Sequence, residues 1–209
     1  MTARKMYTIF MVLFLIQAAF CQPLDNSENT IVSTDKTPEI EPKPSLKLVI
    51  YLADNLISLG QKYTAKSYNV SRLLLNDETL NANTKPEVLE FKTNLKTFIE
   101  NYDASKDVTP NWDIMETYAN ITEYYFGLTD ENTTPEATFI VDLLNKYHCK
   151  ELEMEFVSEV EPFVKNFKQM FEENKVNLDK PLLDWYENFE TITDFQERFN
   201  AFNTFILMV

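Results

Sequence analysis

The chain has 209 residues, 44% of them apolar and 13% aromatic, and a formal charge of −14 at pH 7. Sixteen Phe and ten Tyr can fill a core without disulfide staples, whereas two glycines are too few for the positive-φ turns of a hairpin-rich β fold. The acidic balance repels nucleic-acid phosphates and anionic lipid headgroups, which argues against either as a partner.

Residues 1–21 read as a secretory signal peptide. Arg4 and Lys5 form a basic start, 9–16 is an apolar run, and Ala19 and Cys21 occupy the −3 and −1 positions of a cut before Gln22. The run falls short of the ~20 residues that span a bilayer, so no membrane span is expected and the location is secreted, extracellular. Removing the segment leaves seventeen basic against thirty-three acidic residues, a charge of −16. Phe20, a large residue just before Cys21, argues against an acylated lipoprotein. With Cys21 gone, Cys149 has no intramolecular partner, which leaves an intermolecular disulfide (a homodimer) or a buried thiol. Three N-x-S/T sequons, Asn69-Val-Ser71, Asn120-Ile-Thr122 and Asn132-Thr-Thr134, predict N-glycosylation at Asn69, Asn120 and Asn132.

Residues 22–44 mix Pro, Ser, Thr, Asp and Glu with few large apolar groups. Such a segment cannot bury enough surface to offset its ordering entropy, so it is expected to be disordered. From 45 to 209 the pattern is that of a single all-α domain. Leu48, Val49, Leu52, Leu56, Leu59 and Tyr63 share one stripe of a helical wheel, predicting a first helix over 45–66. A short apolar turn is expected at Val70, Leu73 and Leu74. Proline punctuates the remainder of the chain. Pro86, Pro110, Pro135 and Pro181 each open an apolar-periodic run, as suits a residue without an N–H in the first helical turn. Thr84 with Glu87, and Thr133 with Glu136, have capping-box spacing.

The second helix presents Val88, Phe91, Leu95, Phe98, Ile99 and Tyr102; the third presents Ile114, Met115, Tyr118, Ile121 and Tyr125 and stops at Gly127. Asn120 falls about 140° from the centre of that third stripe, on the solvent side. The fourth uses Phe139, Ile140, Leu143, Leu144 and Tyr147. The fifth uses Leu152, Phe156, Val160, Phe163, Val164, Phe167, Met170 and Phe171, with a break expected over 148–151 and a kink at Pro162. Leu182, Trp185, Tyr186, Phe189 and Ile192 form the next stripe. The phase then shifts to Phe195, Phe199, Phe202 and Ile206, with Thr193 or Asp194 as cap. The sum is six or seven amphipathic helices in a bundle, with stacked helix hairpins as the alternative.

Signatures of catalysis are sparse. Two glycines cannot write a phosphate-cradling loop, and His148 is the sole histidine. It adjoins Cys149, but neighbouring helical side chains diverge by about 100° and do not face each other. One His and one Cys fall short of a zinc set, and residues 130–134 begin like a calcium loop whose later glycine and glutamate positions are not filled. Paired carboxylates such as Glu151/Glu153, Glu159/Glu161 and Glu172/Glu173 read as a solvated helix face. No cofactor and no metal are therefore expected. The first reading is a non-catalytic extracellular interaction protein that binds another protein. The second is a carrier of apolar small molecules, fatty or isoprenoid, suggested by the aromatic load; the third is a carboxylate-based secreted hydrolase.

Overall fold

The computed structural model describes residues 42–105 and 112–209, all-α throughout, with eight α-helices and no strand among the described residues. The leader and most of the polar lead lie outside the described residues, as does the start expected at Pro110. In chain order the helices are α1 (Pro44–Leu75), α2 (Glu78–Ala82), α3 (Pro86–Ser105), α4 (Trp112–Phe126), α5 (Pro135–Lys146), α6 (Cys149–Asn174), α7 (Lys180–Thr191) and α8 (Phe195–Met208). A 3-10 turn, Lys175–Asn177, links α6 to α7. No described helix is long and apolar enough to cross a membrane. The chain divides into two compact units, one holding residues 42–53 and 166–209, the other Asp54–Lys165.

The first helix is longer than its apolar stripe suggests. In place of a helix over 45–66 and a separate apolar turn, α1 runs unbroken to Leu75. Its inward stripe continues through Gly60, Tyr63, Thr64, Ser67, Ser71 and Leu74, and the small polar Thr64, Ser67 and Ser71 in it are buried. Small polar groups mask the periodicity. Thr64 bonds back to its own helix, donating to the Gly60 carbonyl at 2.6 Å, whereas the buried Ser71 hydroxyl has no partner among the described residues. At Gly60 the helix surface is level with the Trp112 ring: a Cβ there would lie 3.1 Å from its Cε2.

In the Asp54–Lys165 unit, α3 packs on both α4 and α5, and α4 packs on α5. Three helices thus enclose one core, which is bundle packing and not a stack of hairpins. Phe91, Leu95, Phe98, Tyr118, Ile140 and Leu144 fill it. The N-terminal caps differ from those expected. Lys85, not Thr84, precedes α3, and its carbonyl accepts the Leu89 N–H. Thr134, not Thr133, caps α5, accepting the Ala137 N–H at 2.9 Å and donating to the Glu87 carboxylate at 2.6 Å. With two threonines ahead of Pro135, the one directly before the proline takes the N-cap, since proline favours the first helical position. Gly127 ends α4 through its N–H to the Glu123 carbonyl at 2.8 Å. Its φ is not positive; glycine suits the position because a Cβ would come within 3.0 Å of that same oxygen.

The break between α5 and α6 is made by His148, whose φ of 58° is left-handed. The five-residue α2 is too short for apolar periodicity to reveal. It forms because Asp77 caps it, its carboxylate accepting the Thr79 and Leu80 N–H groups.

In the other unit the interior is ring on ring. Phe171 stacks on Tyr186 with centroids 4.0 Å apart, Trp185 stacks on Phe189 at 4.9 Å, and Phe167 meets Phe202 and Phe205 edge to face. Asp194 rather than Thr193 caps α8, accepting the Glu197 N–H at 2.8 Å. The inward stripe of α8 is Phe202, Phe205 and Ile206, while Phe195 stands 36% exposed. The stripe begins later than its sequence pattern because Phe195 and Phe199 pack on each other near the corner, at 5.0 Å. Pro162 does not end α6, which is one helix from Cys149 to Asn174.

Candidate functional site

The sequence-predicted positions all fall in the Asp54–Lys165 unit. Asn69 on α1, Asn120 on α4 and Asn132 in the turn before α5 are exposed. Their hydroxyl partners differ. Ser71 and Thr122 are buried, whereas Thr134 is exposed and capping. Cys149 opens α6 as a free, buried cysteine, 3% exposed, against the Tyr118 hydroxyl. Burial pushes its thiol up to about 11. His148 points the other way, exposed, with Nδ1 3.4 Å from the Glu151 carboxylate, so imidazole and thiol do not meet.

Most carboxylates of α6 in this unit are held by lysines. Glu155 takes Lys66 at 2.5 Å, Glu159 takes Lys62, and Glu153 takes Lys150 at 2.7 Å. Both α1 lysines also lie over the Tyr63 ring, 5.3 and 5.2 Å from its centre. The most buried carboxylate, Asp77, is saturated: besides its cap bonds it accepts Lys146 Nζ at 2.6 Å and the Tyr147 hydroxyl at 2.9 Å. The Lys146 ammonium and the Thr79 hydroxyl hold it well below the usual carboxylate range. A carboxylate so fully bonded is a clamp between the α1–α2 corner and the end of α5, with no lone pair directed at a substrate. Among the described residues no three His, Cys, Asp or Glu side chains are grouped to hold a metal.

The α7–α8 pair offers a different surface. Here the short link 192–194 turns the chain back so that the two helices pack on each other. Their inner faces supply the aromatic core, and their outer faces leave an open groove of about 480 Å3, within the range of small-ligand sites. Its floor is the edge of Trp185, with Ile192 and Ala201; the indole N–H already donates to the Ala201 carbonyl at 3.1 Å. Its walls are Asn188 and Thr191 from α7, Glu197, Asn200 and Thr204 from α8, and Thr193 from the link. Among the described residues neither the Asn188 nor the Asn200 carboxamide has a hydrogen-bond partner, and the Glu197 carboxylate has no ion pair.

Apolar periodicity misses this surface, since it registers only the core stripes of α7 and α8. Residue type does not mark it either: Asn200, Asn203 and Thr204 on α8 are short and uncharged, but so are the exposed Thr93, Asn94, Thr97 and Asn101 on α3. Comparison with known protein families, with curated proteins and with solved structures finds no match to this chain.

Proposed function

We propose that the chain is a secreted, acidic, non-catalytic binding protein whose binding element is the α7–α8 pair. The observation that carries this reading is the groove itself: free carboxamides and a free carboxylate face one cavity, while the buried carboxylate Asp77 is saturated and Cys149 is raised and enclosed. The distribution of sequons supports it. All three acceptor asparagines lie within Asp54–Lys165, and residues 166–209 have none, so glycans would crowd one unit and leave the other bare. The aromatic load that suggested a lipid carrier is accounted for in 166–209 by rings packed on rings.

The test is expression of the full chain in secreting eukaryotic cells, with a photo-crosslinking residue at Thr204 or, as control, at Asn101 on α3. The expected result is protein in the medium beginning at Gln22, with crosslinks to a ligand or partner from Thr204 and none from Asn101. Protein held in the cytosol with its leader intact, or equal capture from both positions, overturns the proposal.

A further inference from the structure

The chemistry of the groove narrows what it holds, on the reading of α7–α8 as the binding element. Its walls are rich in acceptors. Thr191 and Thr204 already donate their hydroxyl hydrogens to the Asn188 and Asn200 main-chain carbonyls, at 2.7 and 3.2 Å, so toward the cavity they offer lone pairs. The Asn188 and Asn200 carboxamides add two more oxygens, and Glu197 adds a full negative charge. No Lys or Arg lines the cavity. Arg198, the neighbour of Glu197 in sequence, donates to the Ile192 carbonyl at 2.7 Å and so caps the end of α7. An anion entering such a site meets the Glu197 carboxylate, while the neighbouring Arg198 is engaged at the Ile192 carbonyl, in a chain that is acidic overall. A ligand rich in donors meets the reverse.

The floor adds a second constraint. Trp185, Ile192 and Ala201 give an apolar base beneath polar walls, the surface on which an alkyl stem lies while its charged head stays among acceptors. The Trp185 ring is 8% exposed, packed against Phe189 at 4.9 Å and Phe205 at 4.8 Å, so a sugar ring has no open aromatic plate to stack on. We propose that the groove binds a primary alkylammonium group, with Glu197 as counter-charge and the Asn188 and Asn200 oxygens completing its hydrogen bonds. An ammonium directs three N–H donors and one positive charge, which matches this set. A free diamine and a lysine side chain on a partner protein present the same head and stem.

The experiment is a titration of the full chain, isotope-labelled and recovered from the medium, at about physiological salt so that diffuse attraction to the acidic surface is screened. The probes are a five-carbon diamine, an Nα-acetyl-lysine amide, the matching five-carbon diol and the matching dicarboxylate. The expected result is saturable shifts of the Asn188 and Asn200 side-chain amides and the Trp185 indole with both amines. Affinity for the diol should be at least about tenfold weaker, and Glu197→Gln should weaken amine binding by about tenfold or more. Glu173→Gln, an exposed charge outside the groove, should leave it unchanged. Tighter binding of the diamine assigns the site to free amines, and tighter binding of the lysine amide assigns it to a protein partner. Diol binding as tight as the diamine, or indifference to Glu197→Gln, overturns the ammonium assignment while leaving the groove a binding element. No groove shift with any probe, together with no crosslink from Thr204, removes the functional reading as well.

Discussion

Asp77 is the residue whose removal the structure makes most calculable. Its Oδ1 accepts the Thr79 and Leu80 N–H groups at 2.8 and 3.1 Å, and its Oδ2 accepts Lys146 Nζ and the Tyr147 hydroxyl. Asp77→Asn keeps the first oxygen, and with it the cap of α2, but replaces the second by an N–H facing two donors. The Lys146 ammonium is more than half exposed, so water takes over much of its pairing and its share is small. What remains is the lost bond to Tyr147 and the misplaced amide donor at a site 5% exposed, about 2 kcal/mol together. Asp77→Ala also strips the cap and leaves two amide N–H groups without their acceptor, for about 3–4 kcal/mol.

The lowered carboxyl sets the pH dependence. Folding holds the Asp77 proton affinity below that of the unfolded chain, near the ordinary value of about 3.9. Its stabilisation is therefore fully present above that pH and fades as the pH falls toward the folded value, because there the unfolded chain binds the extra proton. Urea unfolding followed by far-ultraviolet circular dichroism, for the natural chain and Asp77→Asn at pH 7 and at pH 3, measures both terms. The gap should be about 2 kcal/mol at pH 7 and narrower at pH 3. A gap under about 0.5 kcal/mol at pH 7, or one of equal size at both pH values, would refute the account of Asp77 as a charged clamp.

Three further outcomes are expected on the same structural grounds. His148→Gly should raise stability by about 0.5–1 kcal/mol in the same urea assay, since glycine occupies the left-handed region without a Cβ penalty; a loss of stability would mean the exposed imidazole pairing with Glu151 outweighs the backbone. Non-reducing gels should show monomer, and the Cys149 thiol should resist alkylation at neutral pH until denaturant is added, because a raised, enclosed thiol is neither ionised nor reachable. Phe171→Ala, at a fully buried position, should cost about 3–5 kcal/mol through the cavity it leaves, read as a lowered unfolding midpoint; a cost under about 1 kcal/mol would show that the stack with Tyr186 is not intact in solution.

The helices are legible wherever an apolar stripe is unbroken. Phe91, Leu95 and Phe98, or Leu182, Trp185, Tyr186 and Phe189, give both the helix and its buried face from periodicity alone. The end of α1 is not, because Thr64, Ser67 and Ser71 hold inward positions that hydropathy scores as outward. Capping is legible only to within one residue: Thr133 and Thr134 are chemically alike, and the adjacent proline decides between them. The groove is beyond reach for a different reason. Periodicity reports what is buried, and the groove is defined by what two core-facing helices leave unburied between them, a property of their pairing and not of either alone.

Trp112 and Trp185 lie in separate units, each 8% exposed or less, the first beside Phe156 and the second among Phe167, Phe189 and Phe205. Nature has thereby placed one tryptophan in each unit. Replacing either by Phe leaves a single indole, excited selectively over the tyrosines, and comparing the two melting profiles tells whether the units denature as a concerted event or in succession.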